Sequence, residues 1–215
     1  MAEDGTFSEP FSPVAEVNNT VYETLEEALA DLKAGDTLDI LADAELTSSI
    51  IVTSDLTING NGNTLTLNQT NSDWSSVGLK NKDAVLVLND MTIEKTGYGD
   101  TSGAWNTHAI NFTSNVVMED VTVNNSMSVE DGATLTNVTI NEANGYYGLW
   151  IDATEQTVTV TGGEINATNG GRGIKIADQY IANPAEVTLN VTGTEFNTAK
   201  KAAVLVSSKA GAKVT

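Results

Sequence analysis

Residues 84–93, AVLVLNDMTI, contain the pattern that decides the fold. The apolar residues Leu86, Leu88, Met91 and Ile93 follow the order apolar-x-apolar-x-x-apolar-x-apolar. Each half of this pattern alternates with a period of two residues, which is typical of a half-buried β-strand. The two halves are out of phase by one residue, so the chain must bend sharply between two short strands.

The same pattern returns further along the chain. The later copies are Val116/Met118/Val121/Val123, Ala133/Leu135/Val138/Ile140, Val158/Val160/Gly163/Ile165 and Leu189/Val191/Thr194/Phe196. Each bend contains a residue type that enters the left-handed helical region at low cost. These predicted structural corners are Gly60, Asp90, Asp120, Asn137, Gly162 and Gly193. We therefore expect a corner with positive φ in every copy, with the corners lying one above another.

A third, shorter strand follows most copies, at residues 109–112, 148–151, 173–176 and 203–206, with 127–129 in the shortest repeat. The markers Ile93, Val123, Ile140, Ile165 and Phe196 are 30, 17, 25 and 31 residues apart. Repeats of this size with three strands each predict an all-β solenoid, a parallel β-helix with three strands per rung. Such rungs pair at about 4.8 Å and bury one continuous apolar column.

Composition excludes several functions. The net charge of −19 argues against nucleic acid as a partner, because duplex binding needs clustered Lys and Arg, and it argues equally against anionic membrane surfaces. No run approaches the roughly 18 apolar residues of a membrane span, so we expect no membrane insertion. The chain has no cysteine, which removes disulfides and thiolate metal sites.

The first residues predict a leader and a cap. Residues 1–13 are polar and form a flexible leader, and we expect that a signal peptide stood before Met1 and was removed. Residues 14–22, VAEVNNTVY, predict a hairpin that turns at two asparagines. A helix over 24–34 follows, with Thr24 and Glu27 as a capping box and Gly35 at the C′ position.

This helix is amphipathic and is expected to cover the open end of the first rung. Its apolar face consists of Leu25, Ala28, Leu29 and Leu32. The predicted organisation is a leader at 1–13, a hairpin, capping helix and entry strands at 14–55, and β-helix rungs at 56–215. Residues 209–215 lack a cap, so the rungs are expected to be truncated at this end.

Three segments, TVYETLEEAL, AGDTLDIL and LTINGNGNTL, carry a resemblance that covers about residues 14–67. They resemble the opening of the pectate-lyase-like, right-handed parallel β-helix domains of large surface proteins of Gram-positive bacteria, many from the gut. The resemblance implies a right-handed β-helix and an extracellular or cell-surface location. That superfamily contains both enzymes and non-catalytic adhesive or structural segments, so the resemblance leaves the activity open.

In the enzymes of that superfamily the substrate lies along the face formed by the third strands. The outward positions there are Asn111, Trp150, Lys175 and Leu205. The candidate ligand-binding residues are the aromatic and basic ones at or just before these strands, namely Trp105, Tyr146, Tyr147, Trp150, Arg172 and Lys175. Aromatic rings beside hydrogen-bonding side chains stack on sugars, so a glycan or a host surface ligand is the expected partner. The alternative is that these rings only cover their own loops.

The signs of catalysis are incomplete. Arg172, with Lys175 three residues on, is similar to the Arg-x-Lys of polygalacturonases, and Asn106-Thr107 to their Asn-Thr-Asp, but His108 replaces the aspartate. No paired aspartates and no Gly-His-Gly are present, and hydrolysis needs two carboxyl groups placed as acid and base. A lyase needs calcium-binding acids beside a base, and Asp152 near Arg172 is the nearest arrangement. We therefore assign no catalytic residue.

The sequence signals for metal binding are equally weak. The pairs Glu119-Asp120 and Glu130-Asp131 suit a hard cation, but no regular ligand loop surrounds them, so calcium is the one cofactor left open. His108 is the only histidine, so no zinc site is expected.

The predicted function is a non-enzymatic surface module, an adhesin or stalk that binds glycans through its aromatic edge. One alternative is a polysaccharide lyase or glycoside hydrolase, or the inactive remnant of one. The other is a purely structural spacer, and end-to-end or edge self-association is a further expectation.

Overall fold

A computed structural model describes residues 12–69, 78–81, 83–97, 110–143, 145–198 and 201–215. Within these ranges 56% of the residues lie in strands, and the only helix has seven residues. The protein is therefore mostly β, with long parallel sheets and very little helix. Most of the predicted leader, residues 1–11, lies outside the described residues.

The first elements, up to the first strand of the repeat pattern, are short. They are β1 (Ala15–Val17), β2 (Thr20–Tyr22), α1 (Leu25–Asp31), β3 (Thr37–Ile40), β4 (Ala44–Leu46), β5 (Ile50–Val52), β6 (Leu56–Asn59), β7 (Thr64–Gln69) and β8 (Leu79–Asn81).

The remaining strands carry the repeats. They are β9 (Leu86–Gly97), β10 (Ile110–Phe112), β11 (Val116–Val123), β12 (Met127–Val129), β13 (Ala133–Thr136), β14 (Thr139–Glu142), β15 (Tyr147–Asp152), β16 (Thr157–Thr161), β17 (Glu164–Ala167), β18 (Arg172–Ala177), β19 (Val187–Thr192), β20 (Glu195–Thr198), β21 (Val204–Ser207) and β22 (Ala212–Val214).

The described strands form three sheets. The largest has 15 strands in two arms, which share β9 and β11. The first arm runs β2-β1-β3-β6-β9-β11-β13-β16-β19-β22, and the second runs β4-β7-β9-β11-β14-β17-β20. A second sheet has the order β10-β12-β15-β18-β21, and β5 pairs with β8 in a third. Every pairing is parallel except those that β1 makes with β2 and β3.

The register places equivalent residues of successive repeats side by side. On the first arm Leu86, Val116, Ala133, Val158 and Leu189 are paired in that order, and all five are buried. On the second arm the marker residues are paired in the same way, in the order Ile93, Val123, Ile140, Ile165 and Phe196. The apolar positions of the sequence pattern therefore stack into one core that runs along the sheets.

The bends between the two arms have the expected backbone conformation at most positions. Asp90, Asp120 and Asn137 have φ values of 48°, 55° and 52°, and Gly162 and Gly193 have 65° and 68°. The strand pairs on either side of these residues are in register, so the bends lie above one another.

The bend at Gly60 differs from the prediction. Four residues separate the paired positions there, against two at Asp90, and the positive φ values belong to Asn61 (52°) and Gly62 (78°). Gly60 is needed for a different reason, because a Cβ on it would overlap the Cβ of Met91. Its role is to allow close approach of the next repeat.

At the amino-terminal end, β1 and β2 form the expected hairpin, with Asn18 (φ 50°) and Asn19 (φ 64°) at its turn. The Thr24 hydroxyl accepts a hydrogen bond from the Glu27 N–H at 3.3 Å.

The helix is shorter than the expected 24–34. It ends at Asp31, and the next residue, Leu32, is extended with ψ 137°. The Asp36 carboxylate accepts from the Lys33 N–H at 2.7 Å, which forms a turn in place of the last helical turn. Hydrogen bonds from the Asn18 amide and from this N–H hold the pKa of Asp36 below its usual value. Gly35, with φ 81°, therefore lies in the following turn and not at a helix C′ position.

None of the helical structure in the described ranges has the length and hydropathy required to cross a bilayer.

Candidate functional site

The predicted third strands form the sheet β10-β12-β15-β18-β21. Their inward residues, among them Ile110, Leu149 and Ile174, are fully buried because alternate side chains of a strand point to opposite faces. The outward residues form a row in which neighbours are paired, in the order Asn111, Ser128, Trp150, Lys175 and Leu205. The outward positions expected from the sequence thus share one row.

Four of the predicted site residues are in contact on this face. The rings of Tyr147 and Trp150 meet edge to face with centroids 5.4 Å apart. The Lys175 Nζ lies 4.6 Å from the centroid of Tyr147 and 4.3 Å from that of Trp150, and it donates a hydrogen bond to the Tyr147 hydroxyl at 3.3 Å. The Arg172 Cζ lies 5.5 Å from the Tyr147 centroid. We call these four residues, together with Tyr180, the aromatic cluster.

The other two predicted site residues stand apart. Tyr146 is half-buried beside the cluster, and its backbone N–H donates to Glu142 Oε2 at 3.0 Å while its carbonyl accepts from the Arg172 N–H at 2.8 Å. Trp105 lies outside the described residues, as do His108 and the Asn106-Thr107 pair.

Trp150 is too buried for its predicted role as a surface on which a ligand stacks. Only 6% of its surface is exposed, because Tyr180 stacks on it with centroids 6.2 Å apart and planes at 29°. Tyr180 itself is 76% exposed. The ring that this face offers to a ligand is therefore Tyr180.

Tyr180 was not among the predicted site residues, because these were chosen from the third strands and the loops that precede them. Tyr180 lies in the loop that follows β18, where the Ile181 N–H donates to the Asp178 carbonyl at 3.0 Å and forms a tight turn. An aromatic residue just after a third strand was the available signal.

Lys175 is 8% exposed and is held between two aromatic faces. A cation over an aromatic ring contributes about 0.5–1 kcal/mol when exposed and about 2 kcal/mol when desolvated. Arg172 approaches the ring of Tyr147 as well, so one tyrosine is in contact with two cations in a chain of strongly negative charge. The cluster is therefore a local positive site on an acidic protein.

Two carboxyl groups lie beside the cluster, Asp152 at the end of β15 and Glu130 directly after β12. Asp152 Oδ1 accepts from the Trp150 indole N–H at 2.7 Å, and Glu130 Oε1 accepts from the Asn111 amide at 2.7 Å. Burial raises the pKa of Asp152, although the Trp150 hydrogen bond opposes this. Burial also raises the pKa of Glu130, the Asn111 hydrogen bond opposes it, and the nearby charge of Asp152 adds to it.

These carboxyl groups correct one expectation about the edge. Asp152 was expected near Arg172, yet Arg172 pairs with Tyr147 at the start of β15, whereas Asp152 is the last residue of that strand, is half-buried and bonds to Trp150. In the part of the chain that the structure describes, no three His, Cys, Asp or Glu side chains are grouped to hold a metal ion. The Asp120 carboxylate of the predicted Glu119-Asp120 pair accepts from the Asn137 amide at 2.5 Å.

Comparison of the chain with protein-family models, with curated proteins and with solved structures found no match. The fold and the site define a mostly-β protein with long parallel sheets and an aromatic, cationic cluster on the outer face of one of them.

Proposed function

We propose that the chain is a right-handed parallel β-helix with three strands per rung, capped by α1, and that it is a non-enzymatic extracellular or cell-surface module that binds glycans. Parallel pairing between successive repeats and alternation between the two arms and the five-stranded sheet support the architecture. Right-handed crossovers between parallel strands are the overwhelming rule, which supports the hand. The location rests on the sequence resemblance alone.

One observation carries glycan binding: the exposed ring of Tyr180 stacks on Trp150 at an angle of 29°, beside two cations and a second tyrosine. The apolar face of a sugar ring stacks on aromatic rings, and nearby donors bond to its hydroxyl or acidic groups. The module would act by display and contact, without breaking a bond.

Glycan arrays test this proposal. The unmodified protein should retain a set of glycans, and Tyr180→Ala should weaken binding at least tenfold, which corresponds to about 1.4 kcal/mol. Tyr180→Phe keeps the stacking ring and should bind like the unmodified protein. Both substitutions are at an exposed side chain, so equal melting temperatures check that the fold is intact.

Two results would refute glycan binding at this site. If no glycan is retained, the purely structural spacer becomes the better proposal. If Tyr180→Ala binds as well as the unmodified protein, the ligand lies elsewhere.

A polysaccharide lyase or glycoside hydrolase is the second candidate, and the pair Glu130 and Asp152 favours it. Glycosidases use two carboxyl groups, one with a raised pKa, at about 5–5.5 Å or at about 6.5–9.5 Å. Glu130 directly follows Val129, and Asp152 directly follows Ile151, the residue that pairs with Val129, so the two carboxyl residues are neighbours across this sheet. Release of reducing or unsaturated ends from pectin, alginate or glycosaminoglycan, abolished by Glu130→Gln, by Asp152→Asn or by Arg172→Ala, would establish an enzyme.

A further inference from the structure

The sequence contains four Asn-Gly pairs, at 59–60, 61–62, 144–145 and 169–170. In such a pair the asparagine loses ammonia easily, because glycine has no Cβ to keep its backbone nitrogen away from the asparagine Cγ. The reaction needs a glycine N–H that can lose its proton and a side-chain amide that can rotate. Hydrogen bonds to these two groups therefore decide which pairs react. Asn144 lies outside the described residues.

The pair Asn59-Gly60 is held by hydrogen bonds on every side. The Asn59 side chain donates to Asp39 Oδ1 at 2.9 Å and accepts from the Asn89 amide at 3.0 Å. The Gly60 N–H donates to the Asn89 carbonyl at 2.8 Å. Neither the attacking nitrogen nor the amide is free to move, so this pair is protected by the fold.

The pair Asn61-Gly62 is protected in the same way, although both residues are exposed. The Asn61 side-chain amide donates to the Ile40 carbonyl at 3.1 Å, and the Gly62 N–H donates to the Asp90 carbonyl at 2.8 Å. Exposure alone therefore does not make an Asn-Gly pair reactive in this protein. This pair is the matched control for the one that follows.

The pair Asn169-Gly170 lies in the loop of residues 168–171, between β17 and β18. Asn169 is exposed, and Gly170 has φ 82°. Neither the Asn169 side chain nor the Gly170 N–H forms a hydrogen bond with any residue that the structure describes. A Cβ on Gly170 would have no neighbouring heavy atom within 4 Å, so there is open space around this residue. Both reacting groups are therefore free to move.

We propose that Asn169 is a site of spontaneous modification, at which the side-chain amide becomes a carboxylate. The Gly170 nitrogen loses its proton to hydroxide and forms a bond to the Asn169 Cγ. The bond from Cγ to Nδ2 breaks, and the leaving nitrogen takes protons from water and departs as ammonia. The product is a cyclic imide. Water then adds to either of its carbonyl carbons and opens the ring, which gives aspartate or isoaspartate.

The conversion changes the charge beside the aromatic cluster. Asn169 precedes Arg172 by three residues, on the loop that leads directly into β18. A negative charge there lowers the positive potential of Arg172 and Lys175. A newly made chain thus has a more cationic cluster than an aged one. The conversion itself does not depend on glycan binding.

Peptide mapping by mass spectrometry tests the proposal. The folded chain is incubated in mildly alkaline buffer and digested at acidic pH at intervals, and fragmentation of the peptides assigns each converted residue. Asn169 should convert at least about tenfold faster than Asn59 or Asn61, because their hydrogen bonds must break first, at about 1.4 kcal/mol for each factor of ten. Isoaspartate should appear in the same peptide as aspartate, because water opens the ring at both carbons.

Two controls separate the effect of the fold from the chemistry of the dipeptide. In urea the pairs at Asn59, Asn61 and Asn169 should convert at similar rates, because the hydrogen bonds of the fold are lost. Gly170→Ala places a methyl group beside the reacting nitrogen and should slow the conversion of Asn169 alone. Retention of the Asn169 amide in the folded chain for as long as the urea sample takes to convert would overturn the proposal. An Asn61 that converts as fast as Asn169 in the folded chain would also overturn it.

Discussion

Two adjacent glycines at one bend provide the sharpest test of how the repeats stack. Gly162 and Gly163 have nearly equal φ values, 65° and 67°, so both lie in the left-handed region. A Cβ on Gly162 would have its nearest neighbour, in Asn137, at 4.0 Å. A Cβ on Gly163 would overlap the carbonyl oxygen of Val138 and lie 2.6 Å from its nitrogen. Alanine at Gly162 therefore tests backbone strain alone, and alanine at Gly163 tests the same strain together with a clash against the preceding repeat.

The expected costs follow from these distances. Alanine in the left-handed region costs about 1–2 kcal/mol, and the smaller entropy of the unfolded chain returns about 0.4–1 kcal/mol, so Gly162→Ala should cost about 1 kcal/mol. Gly163→Ala has the same strain, and overpacking adds about 1–3 kcal/mol or more. Moving the bend away would also weaken the 3.0 Å hydrogen bond from the Glu164 N–H to the Val138 carbonyl. Its total should be about 3–5 kcal/mol.

Thermal unfolding followed by circular dichroism measures both costs. For a chain of this size 1 kcal/mol lowers the melting temperature by about 2–4 °C, so Gly162→Ala should lower it by about that much and Gly163→Ala by about 6–20 °C. Gly162→Asn should be nearly neutral, because Asn137 occupies the equivalent bend with φ 52°. Equal losses for the two alanine variants would refute the close stacking of the bends.

Two more predictions concern stability. Because the pKa of Glu130 is raised above its ordinary 4.5, the folded chain binds its proton more tightly than the unfolded chain, so stability from this group is complete below pH 4.5 and is lost as pH rises through the raised pKa. Glu130→Gln should therefore reduce the fall in melting temperature above pH 4.5. Glu155→Gln, at an exposed carboxylate, is the control and should not reduce it. Equal slopes of melting temperature against pH for the two variants would contradict this. Asn166 bonds to an asparagine on each side, at 2.9 and 2.8 Å, and Asn197 ends the row, so Asn166→Ala should cost about 1–2 kcal/mol by chemical denaturation and Asn197→Ala about half. Equal costs would contradict a stabilisation that scales with the number of hydrogen bonds in the row.

Much of the strand order could be predicted from the sequence because two local signals agree in most repeats. Apolar alternation identifies the inward residues, and Asp, Asn or Gly at the bend identifies where the phase changes. The short repeat with β12 is an example, since residues 127–129 were expected to be a third strand and pair with β10 and β15. The bend at Gly60 was mispredicted because its two extra residues look like part of the same glycine-rich signal.

The site was less predictable because its geometry depends on contacts between distant segments. Trp150 is on an outward strand position, yet it is buried by Tyr180 from a loop almost thirty residues later and by Lys175 from the next strand. Nothing local to Trp150 indicates either contact. The same holds for Glu130 and Asp152, whose raised pKa values come from burial against neighbouring strands.

A row of hydrogen-bonded asparagines on the second arm shows that successive repeats can differ in length and still stay aligned. Its neighbouring members are 17, 25 and 31 residues apart in sequence, yet each hydrogen bond between them measures 2.8–2.9 Å. Seventeen residues are thus enough to reach the equivalent position on the next strand, and the longer repeats hold additional loop residues, among them Tyr180. A foreign peptide grafted into one of these loops would be held at a defined position along the sheets, and the strands beneath it would stay in register.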